Sequence, residues 1–173
     1  MKRKYVIILS IIALIIALSL YANVHENPLP SDVTADIVVV EKSNRKLFLM
    51  KKNKVIKKYK ISLGRNPNGH KEKQGDFKTP EGTYIIDYRN PNSKYHLSLH
   101  ISYPNEKDKK FALAQGLSPG GDIMIHGIRN GLGLIGRLHT LFDWTQGCIA
   151  VTNPEIKEIW NAVPKGTKIT ITP

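Results

Sequence analysis

Residues 143–151, DWTQGCIAV, contain the only cysteine of the 173-residue chain, at position 148. Gly147 comes directly before this cysteine, and the short apolar run IAV follows it. The pattern is typical of a tight turn that leads into a buried strand. Cys148 is therefore either a small core residue, which is the common situation for a lone cysteine, or a nucleophile presented by the turn.

The residues after this turn predict a helix and a closing strand. Asn153 suits the N-cap, Pro154 the first helical position and Glu155 the positive end of the helix dipole. Four apolar residues at i, i+3, i+4 and i+7 give the helix one buried face: Ile156, Ile159, Trp160 and Val163. The sequence PKG ends the helix, and TKITI is typical of a strand.

Upstream of the cysteine, residues from position 36 onward have the pattern of short strands separated by turns. DIVVVE, LFLM, VIKKYKISLG and GTYIIDYR are rich in β-branched and aromatic residues. KYHLSLHIS alternates between apolar and polar residues, as a half-buried strand does. Eight of the 13 glycines lie within residues 116–147, where the backbone must bend tightly or approach another group closely. We predict a mainly β domain of the α+β class, with one helix near its C-terminus.

The N-terminus has the pattern of an export segment. Lys2, Arg3 and Lys4 precede an uncharged run from residue 5 to residue 24, which is about the ~20 residues that span a bilayer. We divide the chain into a signal or membrane anchor (1–24), a linker (25–35) and a catalytic domain (36–173). Basic residues before the run predict a cytoplasmic N-terminus and a single-pass protein of the cell envelope, with its domain outside the cytoplasm. The alternative is a secreted or periplasmic protein, released by cleavage.

The net charge of +12 includes +3 from the basic N-terminus, which leaves +9 on the exported part. A cationic surface suits polyanions, and export makes nucleic acid an unsuitable partner. Anionic wall polymers, peptidoglycan carboxylates and lipid headgroups remain, and the alternative is a lysine-rich face that only aids solubility. We expect a monomer.

His126 is the expected partner of Cys148. It ends the short apolar strand DIMIH, precedes a glycine-rich loop, and lies 148 − 126 = 22 positions before the cysteine. A nearby base or cation would lower the pKa of the thiol from about 8.5, and Gly147 could turn backbone N–H groups towards an oxyanion. His96 and His100 do not form a metal site, because four residues of strand span about 13 Å.

The blocks GDIMIHG and DWTQGCIAVTNPEI, in this order, resemble the signature of the YkuD-type L,D-transpeptidases, exported enzymes that remodel peptidoglycan. ISLGRNP, GDFKTPEGTYII, LSLHISYPN and the closing NPEIKEIW also resemble this family. The resemblance implies a β-sandwich-like catalytic domain, with Cys148 as nucleophile and His126 as proton donor and acceptor. It also implies that the carbonyl of Gly127 orients the imidazole. Gln146 and Ala150 depart from the family pattern, and the loop between His126 and Cys148 is long for the family.

The resemblance implies attack of Cys148 on a peptidoglycan stem peptide, through a thioester that an amine resolves, without cofactor or metal. Resolution by water would make the protein a carboxypeptidase or a peptidoglycan–protein hydrolase. A wall-binding module with a vestigial site is a third hypothesis. Four residues near the cysteine are expected to contact substrate: His139, Trp144, Thr145 and Gln146. Asp143 either contacts substrate or caps the loop, and Arg129 and Arg137 could hold a peptide carboxylate.

Overall fold

The computed structural model describes residues 2–24 and 27–173. The described helices are α1 (Lys2–Ala22), α2 (Glu106–Ala114) and α3 (Asn153–Ala162), together with a 3-10 helical segment, Gly133–Leu141. The described strands are β1 (Ile37–Glu41), β2 (Lys46–Lys51), β3 (Lys54–Lys60), β4 (Gly82–Ser93), β5 (His96–Ile101), β6 (Met124–His126), β7 (Ile149–Ala150) and β8 (Lys168–Thr172). The strands that the sequence predicts are therefore present.

The eight strands form one mixed sheet in the order β3-β2-β1-β8-β4-β5-β6-β7. β1 pairs with β8 and β6 with β7 in parallel, and the other neighbours are antiparallel. The long strand β4 joins the two halves, because its first residues pair with β8 and its later ones with β5. The segment after β3 also pairs with β7, through hydrogen bonds of 3.0 and 2.8 Å between Ser62 and Ala150. The sheet thus curls until its two outer strands are linked.

Helix α3 packs against this sheet as predicted. Ile156 and Ile159 are fully buried in the core, while the Trp160 ring is partly buried, with the Arg89 guanidinium 4.0 Å from its centroid. The N-cap is Thr152, one residue earlier than the predicted Asn153, because Thr152 and Glu155 form a capping box. The Asn153 side chain instead accepts a hydrogen bond from the Ile128 N–H at 2.8 Å. This contact ties the start of the loop after His126 to α3.

Helix α2 was missed in the sequence analysis, which predicts one helix in the domain. Its N-cap, Asn105, accepts from the N–H groups of Lys107 and Asp108, and Asp108 accepts in return from the Asn105 N–H at 2.9 Å. The Asn-x-x-Asp spacing is the signal that could have found the helix. The helix is otherwise hard to predict, because its sequence EKDKKFALA has a weak apolar periodicity.

Helix α1 is long and apolar enough, over Arg3–Ala22, to cross a membrane. Beyond its end, Asn23 Nδ2 donates to the Leu134 carbonyl at 2.8 Å, so α1 contacts the 3-10 segment. The predicted linker begins at residues 25 and 26, which lie outside the described residues. Its later part is docked on the domain: the Leu29 N–H donates to Glu158 Oε1 at 2.7 Å, and the Ala35 N–H to the Ala162 carbonyl at 2.8 Å.

Candidate active site

His126 and Cys148 lie at the same edge of the sheet. His126 is the last residue of β6, and Cys148 directly precedes β7, which pairs in parallel with β6 through Ile125–Ile149 and His126–Ala150. Both side chains line one cavity of about 790 Å³. The parallel pair of short strands therefore brings together two residues that the chain separates by a 21-residue connection.

The His126 ring is held by a backbone carbonyl. Its Nδ1 lies 2.6 Å from the carbonyl oxygen of Gly127. A carbonyl can only accept a hydrogen bond, so Nδ1 carries the proton and Nε2 keeps a lone pair. Burial lowers the pKa of His126 from 6.5 to about 4, against the opposing effect of the Gly127 carbonyl. The imidazole is therefore neutral at neutral pH and suited to accept a proton at Nε2.

Two aromatic rings pack around this imidazole. The Tyr95 ring centroid lies 4.6 Å from that of His126, and the Trp144 centroid lies 5.7 Å from it in an edge-on arrangement. Both aromatic residues also line the cavity. They limit the orientations of the imidazole and keep water from the face that they cover. Trp144 thus contacts His126 and contributes to the cavity wall.

The turn before Cys148 requires glycine. Gly147 has φ of +128°, and a Cβ at this position would lie 2.6 Å from the Lys78 carbonyl oxygen. The Thr145 hydroxyl holds the turn from inside, since Oγ1 donates to the Cys148 carbonyl at 2.7 Å and accepts from the Gly147 N–H at 3.1 Å. The Gly147 N–H is therefore engaged by the turn, and the expectation that the turn directs backbone N–H groups towards an oxyanion stays a prediction.

The Cys148 thiol is protonated at neutral pH. Its Sγ lies 3.5 Å from the Asp122 carbonyl oxygen, to which it donates. Burial raises the pKa of Cys148 from 9.0 to about 11; the Asp122 charge also raises it, while the Met124 N–H and the Lys71 charge lower it. The predicted lowering of this pKa is therefore wrong for the protein alone. Cys148 and His126 are therefore both neutral, rather than a thiolate and an imidazolium.

His139 lies in the buried part of the same cavity wall. The Ser62 hydroxyl donates to its carbonyl at 2.9 Å, and Trp144 Nε1 donates to its Nδ1 at 3.4 Å. The proton is then on Nε2, which is buried and has no hydrogen-bond partner among the described residues. Burial first, and the nearby His126 and Lys60 next, lower the pKa of His139 to about 4.

The other predicted residues have different positions. Gln146 and Arg129 line the cavity, whereas Arg137 lies beside the end of α1. Asp143 caps the loop: it pairs with the Arg45 guanidinium at 2.8 Å and accepts from the Leu63 N–H at 2.9 Å. Thr145 also lines the cavity, but its hydroxyl makes both of its hydrogen bonds within the turn.

Two cations at the cavity were missed in the sequence analysis. Arg65 lines it, with its guanidinium 5.2 Å from the centroid of the Phe77 ring. Lys71 lines it as well; its buried ammonium is 2.8 Å from Asp76 Oδ1 and donates to the Lys73 carbonyl at 3.0 Å. Both residues lie in the irregular segment between β3 and β4, where no periodicity indicates which side chains point inward. Among residues 2–24 and 27–173, no group of three His, Cys, Asp or Glu side chains is placed to hold a metal ion.

The YkuD family of L,D-transpeptidase catalytic domains matches residues 35–171 of the chain. YafK of Escherichia coli K12, a candidate L,D-transpeptidase, is 35% identical over 107 residues, which are 61% of this chain and 36% of YafK. YqjB of Bacillus subtilis 168, another candidate L,D-transpeptidase, is 28% identical over 150 residues, which are 85% of this chain and 75% of YqjB. The helical cell shape determining protein Pgp2 of Campylobacter jejuni has a similar structure, with a TM-score of 0.59 at 25% identity; the match covers 91% of this chain and 54% of Pgp2.

The chain thus spans about a third of the length of YafK and about half of Pgp2. The family match contains every cavity residue described above, from Arg65 to Cys148. The similarity to Pgp2 confirms the predicted fold class, and the family match confirms the resemblance seen in the sequence blocks. This chain belongs to the YkuD family of L,D-transpeptidase catalytic domains.

Proposed function

We propose that this protein is a peptidoglycan L,D-transpeptidase that acts through a cysteine thioester in cell wall biogenesis or remodelling. The observation that carries the proposal is the combination of two features in one cavity. His126 is oriented by the Gly127 carbonyl at 2.6 Å, and Cys148 is carried by a turn that only glycine fits. A cysteine with a purely structural role needs neither an oriented base nor an open cavity.

The reaction starts from the neutral pair. As Cys148 Sγ attacks the carbonyl carbon of a diamino-acid residue in a stem peptide, the S–C bond forms and the thiol proton passes to His126 Nε2. The Nδ1–H bond to the Gly127 carbonyl then stabilises the imidazolium. Because both groups are neutral beforehand, the charges arise only along the reaction, where fixed dipoles of the protein stabilise them most effectively.

The acyl group then moves to an acceptor. The His126 imidazolium gives its proton to the nitrogen of the terminal D-amino acid, the C–N bond breaks, and a thioester remains on Cys148. An amine of a second stem peptide, or of a protein side chain, attacks the thioester and returns a proton through His126, which restores the thiol. Attack by water would instead release a carboxylate, the product of a carboxypeptidase or a peptidoglycan–protein hydrolase.

The charges of the cavity suit an acidic peptide. Arg65 and Arg129 line it, and the buried Lys71 ammonium acts on Cys148. Stem peptides carry free carboxylates at the diamino acid and at the terminal D-amino acid, and a guanidinium can hold such a group in a bidentate manner. We infer that Arg65 and Arg129 orient the peptide, while Lys71 stabilises negative charge on the sulfur or on the carbonyl oxygen that it attacks.

We infer that the protein acts at the cell envelope, with α1 as an uncleaved membrane anchor. α1 continues without an interruption until Ala22, and the residues after it dock on the domain through Asn23 and Leu29. Because the segment after α1 contacts the domain at Asn23 and Leu29, an inserted α1 would hold the cavity near the bilayer. If the anchor is retained, the protein stays in washed membranes, and a mature N-terminus near residue 23 in a soluble fraction would contradict it.

The experiment that tests the activity is product analysis by mass spectrometry. Purified full-length protein in detergent is incubated with a disaccharide tetrapeptide, and Cys148→Ala is the control. We expect loss of the terminal D-amino acid, a cross-linked dimer, and a covalent carbapenem adduct on Cys148. Only a tripeptide product would identify water as the acceptor. No product and no adduct, in a protein that circular dichroism shows to be folded, would favour the non-catalytic wall-binding module.

A further inference from the structure

Residues 128–142, here called the apolar loop, expose an unusual amount of hydrophobic surface. Six large apolar side chains in this loop are exposed, by 37% to 77%: Leu132, Leu134, Ile135, Leu138, Leu141 and Phe142. The loop contains two arginines and no acidic residue. Exposed apolar side chains grouped in one short segment indicate a site of interaction with a protein or a membrane.

The apolar loop lies at the point where α1 ends. Asn23 Nδ2 and Ser19 Oγ donate to the Leu134 carbonyl, at 2.8 and 3.4 Å. Gly136 approaches α1 so closely that a Cβ there would lie 2.4 Å from the Ala22 carbonyl oxygen. The last turn of the apolar helix and the exposed leucines are therefore held together by direct contacts.

We propose that the apolar loop lies in the headgroup region of the same bilayer that α1 crosses, and that it acts as a second, interfacial membrane contact of the domain. This inference rests on the proposed retention of α1. The span Arg3–Ala22 has 20 residues, which at about 1.5 Å per residue matches the ~30 Å hydrocarbon core. The end of α1, and with it the Leu134 backbone, then lies at the membrane surface.

The charge of this region fits a lipid surface. Arg129 and Arg137 belong to the apolar loop, and the charge of Lys60, at the end of β3, acts on His139 within the loop. Apolar side chains flanked by cations are typical of segments that bind the interface of membranes with anionic lipids. A protein partner would not need the contact with α1, whereas a lipid surface beside α1 is present whenever the helix is inserted.

The position of the loop also affects the cavity. Leu132, Ile135 and Phe142 are both exposed and part of the cavity lining. A lipid-bound loop would therefore fix one rim of the cavity at the membrane surface. Stem peptides close to the membrane would reach Cys148 more readily than those in distant layers of the wall.

Fluorescence quenching in vesicles tests the proposal without any measurement of activity. In the full chain with Cys148→Ala, Leu141→Cys is labelled with an environment-sensitive fluorophore, and Leu113→Cys is the matched control. Both leucines are 72% exposed, but Leu113 lies on α2. The proteins are reconstituted into phosphatidylcholine–phosphatidylglycerol vesicles that contain a nitroxide-labelled lipid, and a flotation gradient checks that they are bound.

We expect the lipid nitroxide to quench the probe at position 141 about threefold more than the probe at position 113, since interfacial segments lie ~5–10 Å into the headgroup boundary. Leu134→Ser should reduce this difference. Equal quenching at the two positions would overturn the proposal, as would cross-linking between two copies through position 141, which would indicate a second copy as the occupant. Failure of the protein to float with the vesicles would overturn the anchor and the proposal together. These measurements do not depend on transpeptidation, so they can be interpreted even if the protein has no such activity.

Discussion

The strand ends of β6 and β7 and the apolar loop form two sides of one cavity but are built in opposite ways. At the strand ends, the Gly127 carbonyl fixes the His126 ring, and the Thr145 hydroxyl and the Gly147 turn fix Cys148. In the apolar loop, leucines are exposed, and His139 Nε2 is buried without a partner among the described residues. One side is held by hydrogen bonds within the protein, and the other has exposed apolar side chains and a buried nitrogen without a partner among the described residues.

The difference separates two tasks of the protein. In the proposed reaction, the strand ends hold the reacting groups, and the Gly127 carbonyl takes the place of an orienting carboxylate beside His126. The loop determines the surroundings of the cavity and what approaches it. We therefore expect changes at the strand ends to abolish chemistry, and changes in the loop to alter substrate affinity, stability and membrane contact.

The largest contrast is expected between the two buried histidines. His126→Ala should lower kcat by about 10²–10⁴, the usual contribution of general acid–base catalysis, while His139→Ala should lower it less than about tenfold. Steady-state release of the terminal D-amino acid measures both, and circular dichroism checks the fold. An equal loss in the two variants would break the comparison, since His139 would then belong to the reacting groups.

The next largest expected effect is a loss of stability in acid, because burial lowers the pKa of both His126 and His139 to about 4. Between the unfolded pKa of 6.5 and a folded pKa of about 4, the unfolded chain binds more protons than the folded one. Stability is thus fully present above pH 6.5 and is lost as the pH falls towards 4, by roughly 2 kcal/mol for each group at pH 4.5. Urea unfolding at pH 7 and pH 4.5 measures the loss.

His139→Gln should reduce this loss by about half, since only His126 then remains as a strongly shifted histidine of the cavity. The variant is compared with the unchanged protein at pH 7, where both histidines are neutral in the folded protein and mostly neutral in the unfolded chain. A pH dependence that is the same in the two proteins would show that His139 is not buried in its neutral form.

A smaller effect is expected from the hydroxyl that holds the cysteine turn. Thr145→Val removes the hydrogen bonds to the Cys148 carbonyl and from the Gly147 N–H, and we expect kcat to fall about tenfold, the equivalent of one to two hydrogen bonds. Thr140→Val is the matched control, because its hydroxyl donates only within the loop, to the Arg137 carbonyl at 2.8 Å. A larger loss in the control would place the critical hydroxyl in the loop.

The strand ends could be predicted from the sequence, and the loop could not. The strands before His126 and after Cys148, and the apolar face of α3, leave a periodic pattern, and Gly147 is a local requirement of one turn. The fold follows from such local signals. Helix α2 was missed because only its capping residues, Asn105 and Asp108, indicate it.

The remaining parts of the site depend on contacts that no local sequence pattern indicates. The inward position of Lys71 is set by Asp76 and by the irregular segment between β3 and β4. The protonation of the Cys148–His126 pair depends on burial, which the spacing of the two residues does not reveal. The contact of Asn23 with the Leu134 carbonyl joins residues 111 positions apart in the chain.

The smallest effect is expected from the two arginines of the apolar loop, of which only Arg129 lines the cavity. The backbone next to it is fixed, because the Ile128 N–H donates to the Asn153 side chain at 2.8 Å. The guanidinium therefore extends from a defined point at the cavity rim. A carboxylate bound there is partly solvated, which limits its interaction to about 1 kcal/mol or less. Arg129→Gln should accordingly raise KM about threefold and leave kcat unchanged, as expected when ground state and transition state are bound equally.

Arg137→Gln is the control for this prediction, since Arg137 belongs to the same loop but lies beside Ala22 and Asn23 at the end of α1. Its KM for the disaccharide tetrapeptide should remain that of the unchanged protein. The difference in KM between Arg129→Gln and Arg137→Gln should also become smaller at high salt, because ions screen charges at the cavity rim more than buried charges. A fall in kcat in Arg129→Gln would mean that this side of the cavity contacts the reacting atoms, and the division between a reactive strand edge and a selective loop would no longer hold.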